Sequence, residues 1–166
     1  MNAAEAKSIA HFLLEEMASE ASTTTRLFGA VPEGRLDYKP DASAKTALGL
    51  LRHITLEDEW LLTSIADGSF VPPPDDSDAC GIMTPQDAIA RYGERVPPAI
   101  ERVRALSGDD LVRQLDLLGV MQMPAIQFLS MTVKHSVHHR GQLSTYLRPM
   151  GGKVPGIYGP SADTQM

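Results

Sequence analysis

The sequence is poor in the residues that staple or anchor small proteins. One cysteine, Cys80, excludes an internal disulfide, and with no histidine close by in sequence it also excludes a cysteine-based zinc knuckle. Aromatic residues make up only 5%, so aliphatic side chains must form most of the core. No long apolar run exists, and MNAAEAKSIAHFLLEEM places acids inside its hydrophobic segment, against both a spanning helix and a signal peptide. Basic residues are also short: 15 Lys and Arg face 21 Asp and Glu, for a net charge of -6. Such a balance disfavours nucleic-acid phosphates and anionic membranes as partners. The expectation is a soluble, cytoplasmic protein of one domain over residues 1–166, with 43% hydrophobic residues to form a core.

What is present is helical periodicity cut by breakers. A first helix is expected from about Ala3 to Phe28, with Ile9, Leu13, Met17 and Ala21 as its apolar stripe and Gly29, Pro32 and Gly34 ending it. A second is expected from about Ser43 to Ala66, with Leu50, Leu51, Ile54, Leu61 and Ile65 facing inward and Asp67-Gly68 closing it. The stretch VPPPDDSDACG, residues 71–81, cannot continue a helix and reads as a long surface crossover. Thr84-Pro85 supplies an N-cap and a first-turn proline for a third helix to about Ser107, with a kink expected at Pro97 and Pro98. Residues 108–123 read as an extended or irregular passage, with little evidence for strands. A last helix is expected from Pro124 to about Arg148, with Val133, Val137 and Leu143 in its core stripe. The Gly- and Pro-rich tail reads as a loop, which Ile157 and Tyr158 would pack on the helices. Four helices of roughly 20 to 26 residues point to an all-α, antiparallel four-helix bundle with one long crossover.

Three of five histidines fall within residues 135–139 of the last helix. His135 and His139 are four apart and share a face, a spacing that lets two imidazoles hold one metal ion. His138, about 100° around the helix from His139, is the alternative partner of His135 by its three-residue spacing. His53 sits among core positions of the second helix. Its imidazole either finds an ordinary hydrogen-bond partner or completes a three-histidine site with the later pair. Three neutral nitrogens suit nickel or zinc and leave positions open to water or substrate. Glu57, four after His53, either orients that imidazole, serves as a base, or is a solvated acid. Thr132, Gln142 and Tyr146 flank the histidine stripe. His11 has no histidine neighbour at helical spacing. A metalloprotease reading fails because Ser136 stands where that chemistry needs a glutamate.

The run HSVHHRGQLSTYLRPMGGKVPGIYGPSAD, residues 135–163, closely resembles the C-terminal signature of the DinB family, the DinB/YfiT-like bundles. LGLLRHITLEDEWLL, residues 48–62, resembles that family's second helix. The resemblance implies a DinB/YfiT-like four-helix bundle and a ligand triad of His53, His135 and His139. It also implies a divalent metal, nickel or zinc, and a homodimer. Arg140, Gly141 and Gln142 match its HRGQ element, where the glycine is expected to allow close helix packing. Characterised relatives in the wider superfamily include transferases and isomerases that use low-molecular-weight thiols. The resemblance therefore points to a metal-dependent enzyme acting on a small molecule, of transferase or hydrolase type, activating a thiol cosubstrate or water. The competing expectation is a stress-response or sensor protein with a structural metal and no turnover.

Overall fold

The computed structural model describes residues 1–164. Its four long helices are α1 (Ala3–Gly29), α2 (Ala47–Asp67), α3 (Pro85–Arg104) and α5 (Ala125–Leu147), with a short α4 (Gly108–Val112) and a hairpin of β1 (Gln114–Leu117) and β2 (Met121–Pro124) between the last two. Around the bundle each helix contacts two neighbours, in the order α1, α3, α2, α5. Lys7 on α1 reaches the carbonyl of Arg104 at the end of α3, and Phe28 stacks edge-on against Tyr92, so α1 and α3 are antiparallel. Tyr146 on α5 reaches Lys45, just before α2, while Phe128 packs on Phe70, just after it; α2 and α5 are antiparallel too. Glu59 pairs with Arg91 and Asp67 with Arg102, which makes α2 and α3 parallel. A parallel pair of consecutive helices needs a connection that travels the length of the bundle, and the proline-rich crossover provides it.

The helix boundaries follow local chemistry. Thr84 caps α3, Asp87 completes the reciprocal bond and Pro85 opens the first turn. Helix α2 starts at Ala47 rather than near Ser43, because Thr46 Oγ1 accepts from the Gly49 amide and so acts as the cap. Gly68, at φ 70°, ends it. Helix α3 runs as one element through Pro97 and Pro98. Both prolines are exposed, and the carbonyls they leave unbonded, on Gly93 and Glu94, belong to exposed residues where water can satisfy them.

Three expectations are corrected. The inward stripe of α1 is Ala6, Ala10, Leu14 and Met17, not one through Ile9, which is exposed as is Val137 on α5. Ala6 and Ala10 are buried beside Leu14 and Met17, and the bulkier Ile9 falls on the outer side of the same helix. Residues 108–123 are not without strands: Leu118 and Gly119, both at positive φ, turn the chain so that Leu117 pairs with Met121. Gly141 allows no close packing, since a Cβ added there would meet open space.

The tail is tied to α1 and to the end of α5. Arg148 pairs with Asp163, Arg26 donates to the Gly156 carbonyl, and Val154 packs against the core, whereas the Tyr158 ring is exposed. No helix among the described residues is long and apolar enough to cross a membrane.

Candidate metal centre

His53 is set on α2 between Leu50, Leu51 and Ile54, which are fully buried and fix that helix against the bundle. His135 and His139 lie on α5, whose Phe128, Leu129, Leu143 and Leu147 are equally buried. Two helices anchored this firmly hold the half-buried imidazoles between them in a defined relation. One ligand atom from each histidine lies within 4.8 Å of the other two. His53 Nε2 faces His139 Nε2 at 3.1 Å. That gap is shorter than two metal–nitrogen bonds of about 2.1 Å, so one ion can touch both, and a His135 nitrogen lies within 4.8 Å of each.

The second ring nitrogens show how the cluster is oriented. His139 Nδ1–H donates to Gln142 Oε1 at 2.9 Å, which leaves the lone pair of Nε2 directed at His53. His53 Nδ1 lies 4.0 Å from Glu57 Oε1. His135 Nδ1 is buried with no hydrogen-bond partner among the described residues, a cost a bound ligand could relieve. Burial, followed by the charges of His139 and His135, pushes the His53 pKa down to about 4. Burial, then His139 and His138, does the same for His135. Burial lowers His139 too, against the opposing bond to Gln142. At neutral pH the cluster therefore presents unprotonated imidazoles, the form that ligates metals. The donor set fits a borderline divalent ion.

Other expected residues fall into place or drop out. His138 is exposed; its ring stacks on His139, and it is not in the convergent set. Thr132 is fully buried, and its hydroxyl is spent on the Phe128 carbonyl within α5. Tyr146 spends its hydroxyl on the Lys45 carbonyl. His11 lies on the far pair of helices, beside Arg104.

One residue the sequence reading missed is Asp58. It is wholly buried, accepts from Ser136 Oγ at 2.9 Å and from the Tyr92 hydroxyl at 3.0 Å on one oxygen, and leaves Oδ1 without a partner among the described residues. Burial pushes its pKa up to about 7. The signal was its position between Ile54 and Leu61 on the buried face of α2. Arg140 is likewise buried, ion-paired with Glu20 of α1 and bonded to the Tyr158 hydroxyl. It clamps α5 to α1 and does not face the histidines.

Residues 4–165 match the DinB family. The chain belongs to the DinB family. Among curated proteins it is 28% identical over 155 residues to YrdA of Bacillus subtilis strain 168, covering 92% of this chain and 89% of that one. It is 25% identical over 146 residues to YjoA of the same strain, covering 86% and 88%. Both relatives are described as uncharacterized. Among solved structures, a DinB-like protein from Bacillus cereus ATCC 10987 superposes with a TM-score of 0.73 at 22% identity, covering 88% of this chain and 95% of that one. The crystal structure of YjoA gives 0.66 at 19% identity, covering 93% and 99%. At those identities the superpositions establish a shared DinB-like helical fold.

Proposed function

We propose that this DinB-family chain binds one divalent ion, nickel or zinc, through His53, His135 and His139, and is a metal-dependent enzyme acting on a small molecule. The observation that carries this reading is the convergence of three neutral imidazoles, with His53 on α2 lying 86 residues in sequence from its partner His139 on α5, and with Gln142 orienting His139. When bound, such an ion lowers the pKa of a thiol cosubstrate or of water that reaches it. The chain's own part would be to hold the ion through nitrogen donors of His53, His135 and His139. Glu57, whose pKa burial raises, has Oε1 4.0 Å from His53 Nδ1, on the far side of that ring from His139; it is proposed as the residue that orients His53 or serves as the general base. No protein nucleophile is needed, and the lone Cys80 sits in a turn of the crossover. A homodimer, as the family resemblance suggests, would cover the exposed Ile9 and Phe12 on α1.

The test is turnover of an electrophile with a low-molecular-weight thiol by the metal-loaded protein, followed by mass spectrometry. Activity lost in His135→Ala supports the reading, and equal rates in that variant refute it. A second reading, a stress-response or sensor protein with a structural metal, is favoured by one observation. Four hollows of the surface, among them one lined by Leu56, Trp60, Thr63 and Arg91, border none of the triad histidines. Under that reading a chelator lowers the melting temperature sharply and no turnover accompanies any thiol.

A further inference from the structure

Lys45 and Asp76 form an ion pair at 3.0 Å beside the histidine cluster. Their backbones are tied to the bundle, while their side chains hold only each other at the surface. The Lys45 carbonyl accepts from the Tyr146 hydroxyl at 3.1 Å, which ties it to the same helix that carries Gln142 and two of the histidines. The Asp76 carbonyl accepts from Arg52 Nη1 at 3.2 Å, and Arg52, the buried neighbour of His53, also holds Asp78 at 2.7 Å and the Ile82 carbonyl at 2.8 Å. The crossover is thereby pinned along the helix that carries His53, independently of the Lys45–Asp76 contact. The two charged side chains remain 44% and 49% exposed, and an exposed ion pair is weak and exchangeable.

The Lys45 ammonium is close enough for its charge to act on His53, His139 and Glu57, and Asp76 acts on His53 and Glu57. In a chain of net charge -6, anions are repelled in general, so a cation at the site's edge is a selective feature. We propose that Lys45 recognises a carboxylate on the molecule that enters the histidine site, releasing Asp76 in exchange. This rests on the metal-site reading above and adds the substrate class: a thiol or substrate carrying a carboxylate. Asp76, its ion-pair partner at 3.0 Å, acts as the resident competitor that an anionic ligand displaces.

The test is calorimetric titration of zinc-loaded protein with mercaptosuccinate, 2-mercaptoethanol and succinate, with zinc content measured for every variant. Wild type is expected to bind mercaptosuccinate at least about tenfold more tightly than 2-mercaptoethanol. Lys45→Met should remove that preference, and Lys45→Arg should retain most of it. Asp76→Asn should tighten mercaptosuccinate binding, which loss of a merely structural pair would not do. Succinate bound as well as mercaptosuccinate would place the carboxylate on the substrate rather than the thiol. An unchanged preference in Lys45→Met, or equal weakening of all probes by Asp76→Asn, would overturn the proposal. If wild type takes up no zinc, the metal reading fails separately. Succinate against neutral succinamide on the metal-free protein then decides the lysine's role: a preference for succinate that Lys45→Met abolishes supports it, and no such preference overturns it.

Discussion

Ser136 Oγ donates to Asp58 Oδ2 at 2.9 Å, joining α5 to α2 one residue from His135 and five from His53. The bond is fully buried, so it fixes the separation of the two histidine-bearing helices from behind. Removing the donor leaves the carboxylate of Asp58 with the Tyr92 hydroxyl alone. Ser136→Ala should destabilise the protein by about 1–3 kcal/mol, as for a buried acceptor that loses its partner. Denaturant unfolding checks this, and a loss under a few tenths of a kcal/mol would show that the bond is replaced.

The same carboxylate gives a pH signature. Its folded pKa of about 7 lies above the usual aspartate value, so the native state holds a proton that the unfolded chain has lost. That contribution to stability is fully present below about 4, near the unfolded pKa, and is lost as pH rises through 7. Asp58→Asn should therefore reduce the fall in stability over that interval. Melting temperatures of both proteins from pH 4 to 8 read it directly.

The histidines act in the opposite sense. His53 and His135 have folded pKa values near 4, below the unfolded value of about 6.5, so their contribution is present above 6.5 and declines as pH falls toward 4. Metal-free protein should lose stability across that window, and His135→Gln should lose less. Unfolding curves at pH 4.5 and 7 for the two proteins test the sign.

Gln142 Oε1 accepts from His139 Nδ1 at 2.9 Å. Gln142→Ala should weaken metal binding about 10- to 100-fold with the melting temperature of the metal-free protein little changed. Competition with a chromophoric chelator measures the first and a thermal scan the second.

Much of this was legible from residue spacing. The four helices, the Thr84-Pro85 start and the crossover follow from periodicity and proline placement, which are local properties. The pairing of His135 with His139 is local too, since four residues is one helical turn. The approach of His53 to them is a tertiary fact, and the family resemblance, not the periodicity, selected it. Asp58 escaped notice because a lone acid in the run Glu57-Asp58-Glu59 reads as solvated; only its angle around α2 turns it inward while its two neighbours stay partly exposed. The hairpin escaped because Leu118 adopts a positive φ that its type seldom takes, so no asparagine or second glycine marked the turn. On α1 the buried stripe runs through the small Ala6 and Ala10, which hydrophobicity alone does not rank above the bulkier Ile9.

The central claim is that His53 shares one ion with His135 and His139. Its most direct test is zinc titration of the wild type and of His53→Ala, with bound metal counted by elemental analysis after gel filtration. The account predicts one tightly held ion per chain in the wild type and loss of it in the variant. Retention of the ion by His53→Ala, or none in the wild type, would contradict it.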